Sequence, residues 1–474
     1  MSLKANFIYS SLLTTSTYVV SIVIFPYISR ILGLSNIGIV NFVDNLVNYF
    51  LYISMMGIMT VGVREIAAVR GNQAQLSKTF ISLLALTVIA TLLAITVLWI
   101  AMYTIPTLSP HRDLLYVGII KLIFNLFLME WFYIGMENFK YITLRSIVIR
   151  FLFVVSVFVF IKDSSDYKLF FVLSVSMVVA NALVNLIYSR RFVVYSFKSI
   201  DIRPYYKPFL MMGVYILFTN VYTSLNVVWL GFVTDTDQVG YYTTATKLHT
   251  IIMAILTSFS NILFPRVSNL LAEGKREEYW EKINMSFDAI FLFAFPTICF
   301  MLTAGPNLLH LFVGNGFEGS YLPLRIIAPL ILVIGLEQIL VIQILMAMHQ
   351  DNSVLRNSVI GALVTMLFNI LLTSSMGAIG SAFVWVIAEC VIMILSISVI
   401  YHKYHYLLPY KRLLQYCVAY IPLLLASAML YYFMDNGYAI IITVGLLTIS
   451  YTAVTELFVL KNNVVKHLLK NSKS

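Results

Sequence analysis

The chain has 474 residues, 60% of them hydrophobic and only 11% charged, and its formal net charge is +10. Soluble globular proteins carry about 25% charged residues, so this composition excludes a water-soluble fold and predicts that the lipid bilayer is the solvent. The positive charge does not indicate nucleic-acid binding, because the basic residues stand in short loops between apolar runs, as in oriented membrane proteins.

Fourteen apolar segments are long enough to cross a bilayer, which takes about 20 residues in a helix. The first apolar run is too long for the core of a cleavable signal peptide, so it is interpreted as a spanning helix. The sequence therefore predicts an all-α integral membrane protein with spans at 7–29, 37–62, 80–103, 114–135, 142–161, 168–188, 208–230, 238–263, 285–304, 322–346, 354–373, 378–401, 413–433 and 438–460.

The loops between these spans alternate in charge. By the positive-inside rule the basic set is cytoplasmic, which predicts a multi-pass protein of the inner membrane with both termini in the cytoplasm. Most of the 31 lysines and arginines belong to that set, which comprises the N-terminus, 63–79, 136–145, 189–207, 264–284, 347–357, 402–412 and the C-terminal tail.

The second half of the chain repeats the layout of the first. A constant shift that places Gly38 on Gly240 and Arg64 on Arg266 aligns the first two spans with the seventh and eighth. Halves of equal orientation are parallel repeats, a recurring plan of transporters. The predicted domains are two parallel-repeat six-helix lobes and a pair of extra helices with a basic tail, at 1–200, 201–405 and 406–474.

Two of the aligned spans carry a polar stripe. In the second span its members follow the i, i+3, i+4, i+7 spacing of one helix face and are Asn41, Asp44, Asn45 and Asn48. The shift maps them onto Thr243, Thr246, Lys247 and Thr250. The stripes are predicted to line a cleft between the lobes. The alternative is that they are interhelical hydrogen bonds, with Asp44 paired to Lys247.

Other charges lie within spans, where they normally face a bundle interior or a watery cavity. Lys121 and Glu130 lie on opposite faces of one helix and are not expected to pair with each other. Glu130 and Asp288 stand near span ends and are expected to snorkel to the interface. The remaining charges of this kind include Arg150, Glu337 and Glu389.

Sequence patterns of catalysis are absent. We find no P-loop, no dinucleotide-binding glycine motif, no HExxH and no GxSxG. The three cysteines, Cys299, Cys390 and Cys417, lie far apart in apolar runs without metal-ligand spacing. Charged stripes inside spans without catalytic loops predict a passage and not a reaction, with no cofactor.

Three stretches carry a family resemblance: FPYISRILGLSNIGIVNFVD at 25–44, EWFYIGMENFKYITLRSIVIR at 130–150 and GAIGSAFVWVIAE at 377–389. With them the chain resembles the Wzx-type O-antigen flippases, in the superfamily that also holds lipid II flippases and multidrug and toxin extruders. The resemblance implies that undecaprenyl-diphosphate-linked oligosaccharide moves from the cytoplasmic to the periplasmic leaflet by alternating access. It also implies a polysaccharide polymerase and a chain-length regulator as partners, while two lobes in one chain predict a monomer.

The family picture includes a central cationic cavity. Matching basic positions in the resembling stretches are Arg30, Lys140, Arg145 and Arg150, and the residues themselves add Lys121 and Lys247. Such charges would bind a diphosphate by charge-assisted hydrogen bonds. Nothing in the sequence indicates use of ATP, so coupling to an ion gradient is the hypothesis, with Asp44, Glu337 and Glu389 as candidate carriers.

Two alternatives stay open at this stage. One is a cation-coupled drug or toxin exporter of the same fold, which composition does not separate from a flippase. The other is a membrane enzyme, either an O-antigen polymerase or a lipid-linked glycosyltransferase. The enzyme is less well supported, because the chain has no long outer loop that could carry a catalytic site.

Overall fold

A computed structural model of the chain describes residues 3–195, 200–462 and 464–465. The described residues form helices joined by short loops and turns, with no β-strand among them. They divide into two compact units, Met1–Val239 and Gly240–Ser474. The predicted all-α fold is confirmed.

Among its described residues, the first unit contains nine α-helices. Short 3₁₀ turns precede and follow α5. The helices are α1 (Leu3–Leu32), α2 (Leu34–Met55), α3 (Ile58–Val69), α4 (Gln73–Thr104), α5 (Arg112–Asn125), α6 (Glu130–Gly135), α7 (Phe139–Phe160), α8 (Tyr167–Ser189) and α9 (Tyr206–Val233).

The part of the second unit that the structure describes forms nine more α-helices. Three of them continue as π-helix, α14 over Gln338–Met346, α15 over Asn369–Thr373 and α18 over Thr455–Val459. The helices are α10 (Thr236–Ala272), α11 (Arg276–Thr303), α12 (Gly305–Val313), α13 (Tyr321–Ile327), α14 (Leu330–Glu337), α15 (Asp351–Phe368), α16 (Ser374–Tyr404), α17 (Tyr410–Phe433) and α18 (Gly437–Val454).

These helices overlie all fourteen predicted spans. Within the described part of the chain, eleven helices are long and apolar enough to cross a membrane, or twelve if the pair Glu318–Ile327 and Leu330–Met346, bent by 43°, is one span. Part of the difference is the stretch Asp351–Tyr404, which runs helically through two predicted spans with a sharp kink at Gly377, where φ is +56°. The number of crossings stays a prediction.

A backbone break separates α2 from α3 inside the second predicted span. Met56 has φ of +32°, and a Cβ on Gly57 would lie 2.6 Å from the carbonyl oxygen of Phe209. Only a residue without a side chain permits this approach. The break therefore lets α3 pack against the start of α9.

The division into units differs from the predicted lobe boundary at residue 200. Helix α9 was assigned by the repeat to the second lobe, but it packs against α2 and α3 and belongs to the first compact unit. Local hydropathy contains no information about which neighbours a span packs against. The six-helix lobes and the separate C-terminal pair stay predictions.

The two charges expected to snorkel instead have protein partners. Asp288 is buried on α11 and accepts a hydrogen bond from Nε of Arg412 at 3.2 Å, so for Asp288 the prediction is wrong. Glu130 is half-exposed but lies 3.3 Å from Nη2 of Arg145. For buried Asp288 the ion pair replaces contact with water, whereas Glu130 keeps both its protein partner and contact with solvent.

Candidate functional site

The polar stripe of α2 lies on the more accessible side of a half-buried helix. Phe42, Val43 and Val47 on the opposite side are buried. The stripe residues Asn41, Asp44, Asn45 and Asn48 are all partly accessible. The predicted stripe therefore exists as one face of one helix, because the apolar residues at intervening positions anchor the other face.

Lys121 of α5 reaches this face and joins two of its members. Its Nζ donates to Oδ1 of Asp44 at 2.7 Å and to Oδ1 of Asn48 at 2.9 Å. Asn48 also donates through Nδ2 to Oδ2 of Asp44 at 3.3 Å. The lysine side chain is 13% exposed and the aspartate 36%. The three side chains form a compact triad, and within it the Asp44 carboxylate stays accessible from outside the protein.

A glycine permits this contact. Gly118 stands one turn before Lys121, and a Cβ on it would lie 2.5 Å from Cγ2 of Val47. Because real Cβ atoms do not approach so closely, a side chain at this position would push α5 away from α2. The close approach of the two helices brings the Lys121 amine within reach of Asp44.

The other members of the face have local roles. Asn45 donates through Nδ2 to the carbonyl oxygen of Asn41 at 2.9 Å, within the helix. Asn41 itself has a polar interaction. Arg30, in the last turn of α1, is exposed and also has a polar interaction. These residues stay predictions for the substrate path.

Arg145 and Arg150, both on α7, are engaged with protein groups. Buried Arg145 donates to Oδ1 of Asn185 on α8 and, at 2.9 Å, to Oγ of Ser146. Arg150 donates to the carbonyl oxygen of Leu13 at 2.7 Å, which ties α7 to α1. Lys140, at the start of α7, is exposed. Each arginine thus joins helices of the first unit.

The threonines of the second stripe, on α10, form hydrogen bonds within their own helix. Thr246 donates to the carbonyl oxygen of Thr243 at 3.1 Å, and Thr250 to that of Thr246 at 2.8 Å. Such bonds satisfy a hydroxyl within its own helix. Lys247 is partly accessible and has a polar interaction. The pairing of Asp44 with Lys247 stays an alternative.

The second unit brings together two carboxyl groups that are distant in the sequence. Glu337 ends α14 and Glu389 lies in α16, and both carboxyl groups are buried within range of each other's charge. Nε1 of Trp385 donates to Oε1 of Glu389 at 2.9 Å. Oε1 of Glu337 is buried with no hydrogen-bond partner among the described residues. The pair is therefore incompletely satisfied inside the protein.

The backbone beside Glu337 is unusual. The chain changes from α-helix to π-helix directly after this residue, over Gln338–Met346. Segments of π-helix are rare and occur frequently at functional sites. The change of helix type thus marks the same position as the buried carboxyl pair.

A histidine that carries no signal in the sequence lies against Trp385, the tryptophan that bonds to Glu389. His249 of α10 is buried, its ring lies 5.1 Å from the Trp385 ring, and its Nε2 has no partner among the described residues. The sequence gives no reason to select His249, because its position two residues after Lys247 matches no motif spacing. Among described residues no group of three His, Cys, Asp or Glu is placed to hold a metal ion.

Comparison with known proteins places this arrangement in a family. Residues 3–271 match the profile of the family described as Polysaccharide biosynthesis protein, which spans more than half of the chain. The chain belongs to the polysaccharide biosynthesis protein family. This confirms the resemblance to the Wzx-type polysaccharide flippases.

Members with assigned names are similar over most of their length. A protein of Escherichia coli K12 named as an O-antigen transporter is 23% identical over 397 residues, which is 83% of this chain and 95% of the relative. A protein of Shigella dysenteriae with the same name is 22% identical over 415 residues, 84% of this chain and all of the relative.

Solved structures show the same fold. A lipid II flippase, MurJ, in an inward closed conformation gives a TM-score of 0.79 at 14% identity, covering 95% of this chain and 98% of that one. An inward-facing multidrug resistance transporter of the MATE family gives 0.62 at 14% identity, covering 82% and 96%. Membership of the family and this fold confirm a multi-pass membrane transport protein and not an enzyme.

Proposed function

We propose that this protein flips an undecaprenyl-diphosphate-linked oligosaccharide, such as an O-antigen repeat unit, from the cytoplasmic to the periplasmic leaflet of the inner membrane. The observation that supports it best is the Lys121–Asp44–Asn48 triad on an accessible polar face of a membrane-spanning helix. Relatives named as O-antigen transporters agree with this assignment. A polymerase and a chain-length regulator as partners and a monomeric state belong to the same proposal.

The chemistry of the substrate explains the triad. A sugar diphosphate does not cross hydrocarbon unaided, because its polar groups would lose water without replacement. Lys121 would exchange the Asp44 carboxylate for a phosphate oxygen, a charge-assisted bond of similar strength. Asn41, Asn45 and Asn48 offer amide groups to sugar hydroxyls. Meanwhile the polyprenyl tail stays in the bilayer, so only the head group needs a polar path.

The test is a flipping assay in liposomes that carry labelled undecaprenyl-diphosphate oligosaccharide on one leaflet. Lys121→Ala should slow arrival on the other leaflet about tenfold or more, the range for losing a hydrogen bond to a charged group. Lys168→Ala is the matched control. It removes an ion pair of the same 2.7 Å length, between Lys168 and Asp113. Both of these side chains are largely exposed.

The outcomes separate the alternatives. Equal rates for Lys121→Ala and wild type, in correctly folded protein, would leave the polar face of α2 with a structural role only. No protein-dependent arrival of any lipid-linked sugar under an imposed gradient, together with drug efflux from the same liposomes, would favour the exporter of the same fold.

We further propose that a proton gradient drives this transport through Glu337 and Glu389. A carboxylate only accepts hydrogen bonds, so two neighbouring carboxyl groups can bond to each other when one of them carries a proton. Two ionised carboxylates that face each other in a buried site would repel strongly. Loss of the shared proton would therefore force α14 and α16 apart at the π-helical segment, and a proton bound in one state alone biases the transport cycle.

Other groups around the pair support a proton over a metal ion. Cys390 is the other titratable group that acts on Glu337, and His249 lies beyond Trp385. Among the described residues, no group of three His, Cys, Asp or Glu is placed here to hold a metal ion. Asp44, the third candidate carrier, is already neutralised by Lys121 at 2.7 Å.

Glu337→Gln and Glu389→Gln test this step. Each should abolish stimulation of flipping by an imposed pH gradient, while Glu456→Gln, a buried carboxyl elsewhere in the second unit, should keep it. Stimulation that survives both substitutions, or that follows sodium instead of protons, would contradict the proposal without affecting the flippase assignment.

A further inference from the structure

A groove outside the elements discussed so far lies between the first turns of α17 and the end of α18. It has a volume of about 720 Å³ and is lined by two basic residues, Arg412 and Lys461, with mostly apolar walls and no acidic residue among the described residues that line it. The wall residues Leu414, Val418 and Val459 are 60%, 67% and 66% exposed. In a spanning helix pair such exposed apolar side chains face lipid hydrocarbon, so the groove combines a lipid-facing wall with a positive end.

Arg412 is held in place by groups beneath the groove. Its Nε donates to Oδ1 of Asp288 at 3.2 Å, and its guanidinium carbon lies 5.8 Å from the centre of the Tyr416 ring. The Asp288 side chain is only 9% exposed. An arginine fixed in this way has already lost much of its side-chain freedom, which lowers the entropic cost of binding an anion.

A buried polar network supports this arrangement. Glu456 of α18 accepts hydrogen bonds from the hydroxyls of Tyr416 at 2.8 Å and Tyr420 at 2.9 Å. Nδ2 of Asn462 donates to the Tyr416 hydroxyl at 2.7 Å and to the carbonyl oxygen of Asp288 at 3.1 Å. The network ties α17, α18 and α11 together beneath the groove. It thereby fixes the residues on either side of Lys461 and Arg412.

Lys461 itself has an uncommon backbone. Its φ is +49°, in the left-handed region that non-glycine residues seldom adopt. Bonds on both sides hold it there, from the Leu460 amide to the Thr455 carbonyl at 2.8 Å and from the Asn462 amide to the Glu456 carbonyl at 3.0 Å. Within the described part of the chain, the Lys461 amine has neither a hydrogen bond nor an ion pair. Its charge is therefore available to an anion.

We propose that this groove binds an anionic glycerophospholipid of the surrounding membrane. Its phosphate would lie between Arg412 and Lys461, and an acyl chain would follow the wall formed by Leu414, Val418 and Val459. The positive-inside pattern puts this end of α17 and α18 at the cytoplasmic face, where anionic lipids attract basic segments and basic pockets bind lipid head groups. The site shares no residue with the Lys121 triad or the Glu337–Glu389 pair, so it does not depend on the proposed transport function.

Native mass spectrometry of the full-length protein in detergent tests the proposal, with phosphatidylglycerol and phosphatidylethanolamine as probes. Wild type should retain phosphatidylglycerol in preference, and Lys461→Gln should lower that retention about tenfold, the range for one hydrogen bond to a charged group. Arg64→Gln is the matched control, since it removes an exposed basic residue whose partner is the adjacent Glu65. That substitution should leave retention unchanged.

Three results would overturn the proposal. The first is equal retention of both phospholipids, and the second is retention of phosphatidylglycerol that neither Lys461→Gln nor Arg412→Lys reduces. The third is undecaprenyl diphosphate binding that depends on these residues while phosphatidylglycerol binding does not, which would make the groove part of the substrate path. Arg412 has a buried partner and its loss can unfold the protein. Lys461→Gln breaks no described side-chain contact and keeps the test decisive.

Discussion

Lys121 and Asp44 meet across 2.7 Å although they lie on different helices, α5 and α2. Asn48 bonds to both partners, so the positive charge is neutralised but not enclosed. A lysine whose counter-charge is accessible can exchange partners with an incoming anion at little cost, because one charge-assisted bond replaces another. This relationship makes the α2 face a candidate for binding a diphosphate.

Gly118→Ala should disrupt this face without removing any of its polar groups. The new methyl would lie 2.5 Å from Cγ2 of Val47, and overpacking of this kind costs about 1–3 kcal/mol. We expect a lower unfolding temperature and slower flipping. Val47→Ala in the same chain should restore both. Gly71→Ala, where nothing lies within 4 Å of the added Cβ, is the control, and an equal loss there would rule out the packing explanation.

Arg145→Lys should destabilise the protein, although the charge is kept. A lysine has no planar fork to reach Asn185, Ser146 and Glu130 together, and these are the partners of the buried guanidinium. We expect the free energy of unfolding to fall by about 1–3 kcal/mol. Substitution of the exposed Lys140 by alanine should be neutral in the same thermal assay. If Arg145→Lys is as stable as wild type but flips slowly, Arg145 contacts the substrate instead.

The fluorescence of Trp385 should report the protonation of the carboxyl pair. Its indole donates to Glu389 at 2.9 Å, so loss of the shared proton changes the charge next to the ring. The chain has five tryptophans, and subtracting the Trp385→Phe spectrum isolates this one. The difference signal should change with pH in wild type and stay constant in Glu389→Gln. A pH response that persists in Glu389→Gln would contradict this prediction and indicate another group, such as Glu337 or His249, whose ring lies 5.1 Å from the Trp385 ring.

The loop between α7 and α8 should loosen in acid. Oδ1 of Asp163 accepts the Ser165 amide at 2.9 Å, and this backbone hydrogen bond holds the pKa of Asp163 below its usual range. Because the pKa is lower in the folded state, the Asp163 cap stabilises the turn at pH values above the unfolded-state pKa. This stabilisation is lost as the pH falls through the folded-state pKa. Hydrogen exchange of the Ser165 amide should rise accordingly.

Asp163→Asn provides the control for that experiment. Asparagine caps a helical turn about as well as aspartate but does not titrate. In the variant, hydrogen exchange of the Ser165 amide should therefore not rise as the pH falls. The same acid response in both proteins would show that another group controls the loop.

Local pattern was enough to predict the fold class and the polar face of α2. Apolar runs of spanning length and few charges require helices in a bilayer, where each backbone group must be satisfied within its own segment. The spacing of Asn41, Asp44, Asn45 and Asn48 likewise requires one shared helix face. Both inferences rest on interactions between residues close in the chain, which the sequence contains completely.

The sequence does not specify which distant residues pair with each other. Asp44 binds Lys121 on another helix, Asp288 binds Arg412 instead of reaching the interface, and Arg145 joins α7 to α8. Each charge in a span needs some partner, but hydropathy does not specify which helix supplies it.

The sequence by itself determined that this protein is a bundle of membrane-spanning helices with polar groups inside, because the cost of exposing backbone or charge to lipid is the same in any arrangement. Only the tertiary structure decided that Glu337 meets Glu389, that Gly118 lets Lys121 reach Asp44, and that Arg412 and Lys461 share a groove. Those contacts depend on helix rotation and on close packing at single small residues, properties that arise when distant segments meet.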